Sequence, residues 1–299
     1  MSSAKHDVSP QWHTAGTLKG GFGTAFLAPA KINRFLHITG RRPDGRHNLQ
    51  TVFQFLDLSD TLIFAARAPG EYQLEAPAVL QREDNLCLQA ARRLAEASTI
   101  PFGVRITLSK YIPLGGGLGG GSSDAATTLL ALNHLFGLGF SPAELADLGL
   151  SLGADIPIFI FGHAAWAEGI GEKFTAVEPD TPWVLVIDPG VAVETATMFA
   201  ADALTRDCHI ETIAASGYER LSNVFEPVVR QAYASIDEAF VWFAQHGVQA
   251  RLSGSGGCLF GLFPDQAAAQ AVQQQAKPEH WRSWVVRLRN RSPLYTWND

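Results

Sequence analysis

In the stretch "PLGGGLGGGSSDAA", Pro113 to Ala126, six glycines fill the seven positions Gly115 to Gly121, and Ser122 and Ser123 follow at once. A strand-like run, "VRITLSKYIP", leads in, and "SSDAATTLLALNHLF" reads as a helix from about Ser122 to Phe136. Bare backbone at a helix start lets several N–H groups approach one oxyanion, and the helix dipole places roughly half a positive charge there. The chemistry this suits is holding a phosphate. Ser122 and Ser123 can cap the helix or turn a hydroxyl toward the phosphate or its Mg²⁺. Gly115, Gly117 and Gly120 also spell GxGxxG, but the dinucleotide pattern expects an acidic residue about 20 positions on, at the end of a strand. Here that place holds the helix tail "NHLFGLG". No Gly-Lys-Ser/Thr follows the glycines, so the Walker pattern fails as well. A turn alone would not need six residues that each lose the most backbone entropy on folding.

Phosphoryl transfer asks further for charge neutralisation and for a group at the acceptor hydroxyl. "APAKIN" puts Lys31 and Asn33 two apart on a presumed strand, hence on one face. "LGADIP" places Asp155 just past a helix and before Pro157, where the chain is expected to be extended. "RLSGSGG" supplies a second glycine turn with Ser253 and Ser255. Taken singly, a strand lysine is usually a solvated charge and such an aspartate a turn or cap.

The elements that must position these residues are legible in outline. "TAFLAPAKINRFLHITG" reads as strand, and "TVFQFLDLSDTLIFA" as strands around a turn at Asp57–Asp60. "DNLCLQAARRLAEAS" reads as a helix capped by Asp84 or Asn85, and "SPAELADLGLSLG" as one opening with Ser141 at the cap and Pro142 at its first position. Past a composition shift between about Gly162 and Pro182 come a strand at Trp183–Ile187 and a helix holding Phe199. A long helix over Glu226–His246, the turn in "ARLSGSGGCLFGLF", the helix "PDQAAAQAVQQQA" and a last strand "SWVVRLRN" follow. Split β-α-β packing fits that order.

The 299 residues, 46% hydrophobic and 17% charged, are those of a globular chain of two domains or one large one. A formal charge of −6 with scattered Lys and Arg disfavours a nucleic-acid surface. "IPIFIFGHAAWA", the most apolar of the later runs, is broken by Pro157, Gly162 and His163, so no membrane span is expected. Cys87, Cys208 and Cys258 lack CxxC spacing, which points to reduced thiols rather than disulfides or zinc.

Together and in order, these stretches resemble the GHMP kinase family, the small-molecule kinases named for galactose, homoserine, mevalonate and phosphomevalonate. "PLGGGLGGGSSDAA" matches the family's phosphate-binding loop and "RLSGSGGCLFGLF" its C-terminal glycine motif. "APAKINRFLHITGRRPDGRHNLQTVFQFLDLSD", "LGADIPIFIFGHAAWAEGIGE" and the closing "SPL" are similar to the branch whose acceptor carries a cytidine diphosphate group. The resemblance spans about Thr24 to Leu294. It implies an α+β fold with a ribosomal-protein-S5-like domain over residues 24–170, a ferredoxin-like domain over residues 171–299 and a cleft between them. Residues 1–23 would be a flexible extension.

It further implies ATP as phosphoryl donor with Mg²⁺ and a cytoplasmic monomer or homodimer acting on a small molecule, with no nucleic-acid or membrane partner. Asp155 falls at the family's base position and Lys31 beside it. Pro113, Gly115, Gly116, Gly117, Gly119, Gly120, Gly121, Ser122 and Ser123 fall at the ATP site, with Asn85 and Lys110 near the adenine. Asn33, Arg46, His47 and Phe199 fall at the acceptor site, and Gly254, Ser255 and Gly256 in the second glycine motif. His47 matches a cytosine-reading histidine and Phe199 an aromatic stacked on that base. Arg46 stands where the family commonly has Tyr; a guanidinium can stack on a base or meet a diphosphate. An acceptor without a nucleobase, or a ligand-binding regulator that has lost phosphotransfer, are the alternatives.

Overall fold

The computed structural model describes residues 16–213, 217–276 and 281–296. Most of the expected flexible extension, residues 1–15, lies outside them. Thr17 exchanges two backbone hydrogen bonds with Thr296 at 2.8 and 2.9 Å, tying residue 17 to the end of the chain.

Two long strands, β1 (Ala25–Arg41) and β2 (His47–Arg67), form an antiparallel hairpin. The turn expected at Asp57–Asp60 is absent: β2 continues through it, with a register shift against β1 between Pro29 and Lys31. Asp60 is fully buried and accepts the N–H groups of Tyr111 and Ile112, so residues that read as a turn are the interior of a strand with a buried carboxylate. Next come β3 (Tyr72–Glu75), α1 (Leu86–Ala97), β4 (Gly103–Ser109), α2 (Gly120–Phe136), α3 (Pro142–Leu150), α4 (Ile156–Phe161), β5 (Ala165–Glu168) and β6 (Lys173–Ala176). The Asn85 side chain caps α1 through the Cys87 N–H, and Ser141 and Glu144 close a capping box on α3, both as the residue types dictate. The apolar faces of α1, α2 and α4 meet β1, β2 and β4 in a core that includes Phe26, Phe55, Phe64, Ile106, Leu129 and Phe159.

The second half holds β7 (Trp183–Asp188), α5 (Thr195–Ala200), α6 (Glu226–Ala232), α7 (Ala234–Gln245), β8 (Ala250–Leu252), β9 (Leu259–Phe263), α8 (Gln266–Gln273) and β10 (Arg282–Arg289). Its strands lie in the order β10-β7-β9-β8, all neighbours antiparallel, which is the ferredoxin-like β-α-β-β-α-β arrangement. The single helix expected over Glu226–His246 is two, broken where Tyr233 turns extended at φ −131° and ψ 99°. Tyr233 is neither Gly nor Pro, so nothing in the residue types marks the break.

β10 also pairs with β2, at Leu288–Leu56 and Arg289–Phe55, so both halves share one sheet. A third apolar cluster sits at this seam and joins Ile32, Leu56 and Leu118 of the first half to Val184, Val186 and Cys258 of the second. Leu118 lies in the middle of the glycine stretch, which is thereby anchored from within.

Candidate active site

The glycine stretch connects β4 to α2. Gly119, at the helix N-cap, and Gly117 have φ of +72° and +74°, a region that disfavours side chains. The close approaches are as demanding. A Cβ on Gly117 would stand 2.0 Å from the carbonyl oxygen of Ser253, and one on Gly256 would stand 2.2 Å from the Gly117 nitrogen. The two glycine motifs therefore press backbone to backbone. Cys258 N–H donates to Gly116 O at 3.0 Å, the Ser253 hydroxyl donates to Gly117 O at 3.0 Å, and Lys31 N–H donates to Leu118 O at 2.9 Å.

Beside this loop opens a cavity of about 530 Å³. Lys31 Nζ stands 3.2 Å from Asp155 Oδ2 and donates to Asn33 Oδ1 at 2.7 Å, 5.2 Å from the centre of the Phe53 ring. Asn33 Nδ2 donates in turn to Thr51 Oγ1 at 2.9 Å. The Lys31 side chain is 3% exposed and that of Asp155 is 40% exposed, so a fixed, buried ammonium faces a carboxylate open to the cleft. Asp155 is not extended as expected: it takes α-helical angles and starts α4, with Pro157 in the first turn, where a missing N–H leaves nothing unpaired. It makes no side-chain cap bond, which leaves the carboxylate available to the cleft.

Phe199 on α5 also lines the cavity and stacks on His47, which is not itself among the lining residues, with ring centres 5.2 Å apart and planes 20° from parallel. Phe225 braces Phe199 edge-on at 4.9 Å. The His47 Nε2 is buried and without a partner. Burial, then the nearby Arg206 and Arg41 cations, lower the His47 pKa, so its ring is neutral around pH 7. Thr195 and Ser255, also on the cavity wall, pair their hydroxyls at 2.8 Å.

Family models for the GHMP kinases N-terminal domain and the GHMP kinases C-terminal domain match residues 85–163 and 203–283. The chain is 47% identical to a 4-diphosphocytidyl-2-C-methyl-D-erythritol kinase of Cupriavidus necator, over 89% of this chain and 93% of that one. It is 49% identical to a kinase of the same name from Pseudomonas aeruginosa, over 90% and 95% of the two chains. The chain belongs to the GHMP kinase family. A crystal structure of 4-(cytidine 5'-diphospho)-2C-methyl-D-erythritol kinase, 32% identical, superimposes with a TM-score of 0.75 and covers 89% of this chain and 99% of its own. The two-domain GHMP kinase fold expected from the sequence is thus the fold of this chain.

The cleft of this GHMP kinase brings together Lys31, Asn33, Asp155, Pro113, the six loop glycines, Ser122, Phe199, Gly254 and Ser255. Other expected site residues stand elsewhere. Ser123 is buried at the start of α2 with its hydroxyl unpartnered. Gly256 packs against Gly117 rather than the cavity. Asn85 is occupied with capping α1 and with donating to Leu80 O at 3.0 Å. Arg46 is exposed in the turn between β1 and β2, where its N–H meets Asp44. Lys110 lies under the loop, bonded to Asp60 and, at 2.8 Å, to Asp124. Burial lowers the Lys110 pKa, but the two carboxylates outweigh it and raise the pKa overall. Burial also pushes the Asp124 carboxyl up to about 7, against the pull of Lys110.

Asp124, Thr195 and Arg206 carry no sequence motif that names them, and Asp60 reads from sequence only as part of a turn. Arg206 donates to the carbonyls of Phe199 and Ala201 at 2.8 Å and of Leu204 at 3.0 Å, so one guanidinium closes the end of α5 behind the stacked Phe199. Asp124 adjoins the serines of the glycine loop and could have been read with them. Arg206 sits in no motif and carries no such signal.

Proposed function

We propose that this chain transfers the terminal phosphoryl group of ATP to the 2-hydroxyl of 4-diphosphocytidyl-2-C-methyl-D-erythritol, a step of non-mevalonate isoprenoid precursor synthesis. The observation that carries the reading is the Lys31–Asp155 pair set against the glycine loop in one cleft. The near full-length likeness to kinases of that name supplies the acceptor. Loop N–H groups at the α2 start hold the donor phosphates, Asp155 accepts or orients the acceptor hydroxyl, and Lys31 fixes the carboxylate and screens charge on the transferred group. His47, neutral and with a ring nitrogen unpartnered, reads the cytosine edge while Phe199 offers it a stacking face.

The cleft fits a cation carried in by the nucleotide: it offers the Ser122 hydroxyl and the Asp155 carboxylate, and no group of three His, Cys, Asp or Glu able to hold a metal occurs among the described residues. Mg²⁺ bound with ATP neutralises phosphate charge. Among the described residues no helix is long and apolar enough to cross a membrane, and the free thiols suit a cytoplasmic enzyme.

The test is ADP release with ATP, Mg²⁺ and the cytidylyl acceptor, run beside mevalonate and homoserine. Turnover confined to the cytidylyl acceptor is expected; equal or greater turnover with either of the others would refute the acceptor assignment.

A further inference from the structure

The ion cluster under the glycine loop has a geometry that stability alone does not explain. Asp60 on β2 accepts the N–H groups of Tyr111 at 2.6 Å and Ile112 at 2.9 Å through one oxygen, fixing the chain as it leaves β4 for the loop. Its other oxygen takes the Lys110 ammonium, which reaches across to Asp124 Oδ2, in the first turns of α2, where the chain leaves the loop. A Cβ on Gly120 would stand 3.1 Å from Lys110 Nζ, so the ammonium sits directly beneath the loop's exit. The three side chains are between 0 and 8% exposed. Burying two carboxylates against one ammonium carries a desolvation penalty that their attraction need not repay, and replacing such a group by well-packed apolar residues is often neutral or stabilising. With both carboxylates ionised the cluster also leaves a negative charge under a loop that must receive an anion. What the cluster offers in return is a fixed distance between the two arms of the loop.

We propose that Asp60, Lys110 and Asp124 are positioning residues for the donor's phosphates. They tie the strand entering the glycine loop to the helix leaving it, and so hold the loop N–H groups at the spacing that phosphate requires. The proposal rests on the nucleotide-donor reading above. It assigns Lys110 a place beneath the loop rather than against the adenine, and it gives Asp124 a role that its neighbours Ser122 and Ser123 do not share.

Asp124→Asn and Asp124→Ala separate this role from plain electrostatics, since both remove the same charge and only Asn keeps an acceptor for the ammonium. Both leave the Lys110–Asp60 pair balanced, and Ala suits a helix interior, so both are expected to fold. Asp124→Ser, too short to reach Lys110, replaces Asp124→Ala should that variant not fold. Binding of ADP and of adenosine is measured by calorimetry on the full chain and both variants. We expect ADP to bind about tenfold more weakly to Asp124→Ala than to Asp124→Asn, the size of one lost charge-assisted hydrogen bond, with adenosine equal in the two. Equal ADP affinity in the two variants would overturn the proposal. So would an equal loss for adenosine, which would place the effect in the base pocket. If the unaltered chain bound no ADP, the donor reading itself would fall, and the positioning role with it.

Discussion

At the glycine-loop end of the cleft, proposed for the donor, the walls are backbone: two glycine motifs in contact, main-chain and hydroxyl hydrogen bonds to loop carbonyls, and a buried ion cluster beneath. At the end proposed for the acceptor they are side chains: Phe199 and Phe225 line the cavity, His47 stacks on Phe199 from outside the lining, and a single arginine holds the end of a six-residue helix. The first construction has little room to give, because close-packed backbone cannot relax by changing a rotamer. The second can be tuned one residue at a time. Phosphate is common to every donor and favours a fixed cradle, whereas recognition of a base depends on a few polar and aromatic groups that a change in one position can shift.

Substitutions at each end should therefore fail differently. Gly117→Ala puts a methyl group on the Ser253 carbonyl and strains a left-handed residue at roughly 1–2 kcal/mol before the clash is counted. It is expected to weaken ADP by more than about tenfold and to lower the melting temperature, because both glycine motifs must move apart. Intact ADP binding in that variant would break the contrast. Arg206→Ala removes the guanidinium that closes α5, and KM for the cytidylyl acceptor should rise about five- to tenfold with KM for ATP unchanged. A parallel rise in both constants would show that the two ends are not independent.

A smaller effect is expected from pH. Because burial and two arginines lower the His47 pKa, acceptor KM should stay flat from about pH 8 to 6.5 and rise only below the ordinary imidazole range, as the ring gains a proton. His47→Gln should flatten that rise; a rise starting above pH 7 would show the ring ionising where the structure holds it neutral. The smallest change is Arg46→Tyr. The exposed side chain lies outside the cavity wall, so acceptor KM should move by less than about threefold.

What the sequence made legible were features whose cause is local. The glycine run before a helix, the Asn85 cap, the Ser141 capping box and the strand and helix order of the second half all follow from neighbouring residue types. What it hid depends on partners far along the chain. Asp57–Asp60 looks like a turn until Asp60 meets the N–H groups of Tyr111 and Ile112 some fifty residues away. That Lys110 pairs with Asp60 and Asp124 shows only once the chain has brought β2, β4 and α2 together. Asp155 was legible as a site candidate but not as the start of a helix, since Ile-Pro disfavours helix everywhere except in a first turn. Arg206 serves three carbonyls within seven residues of itself, yet no spacing rule marks an arginine for that task.

The measurement that bears most directly on the Lys31–Asp155 pair is the kcat of Asp155→Asn with ATP and the cytidylyl acceptor, taken beside calorimetric affinities for ADP and the acceptor. The variant keeps the shape of the side chain and removes the carboxylate that stands 3.2 Å from Lys31. A fall in kcat of about 10² to 10⁴, with both affinities within about threefold of the unaltered chain, is the expected result. Turnover preserved within a few-fold would contradict the account and leave the pair a structural ion pair at the edge of the cleft.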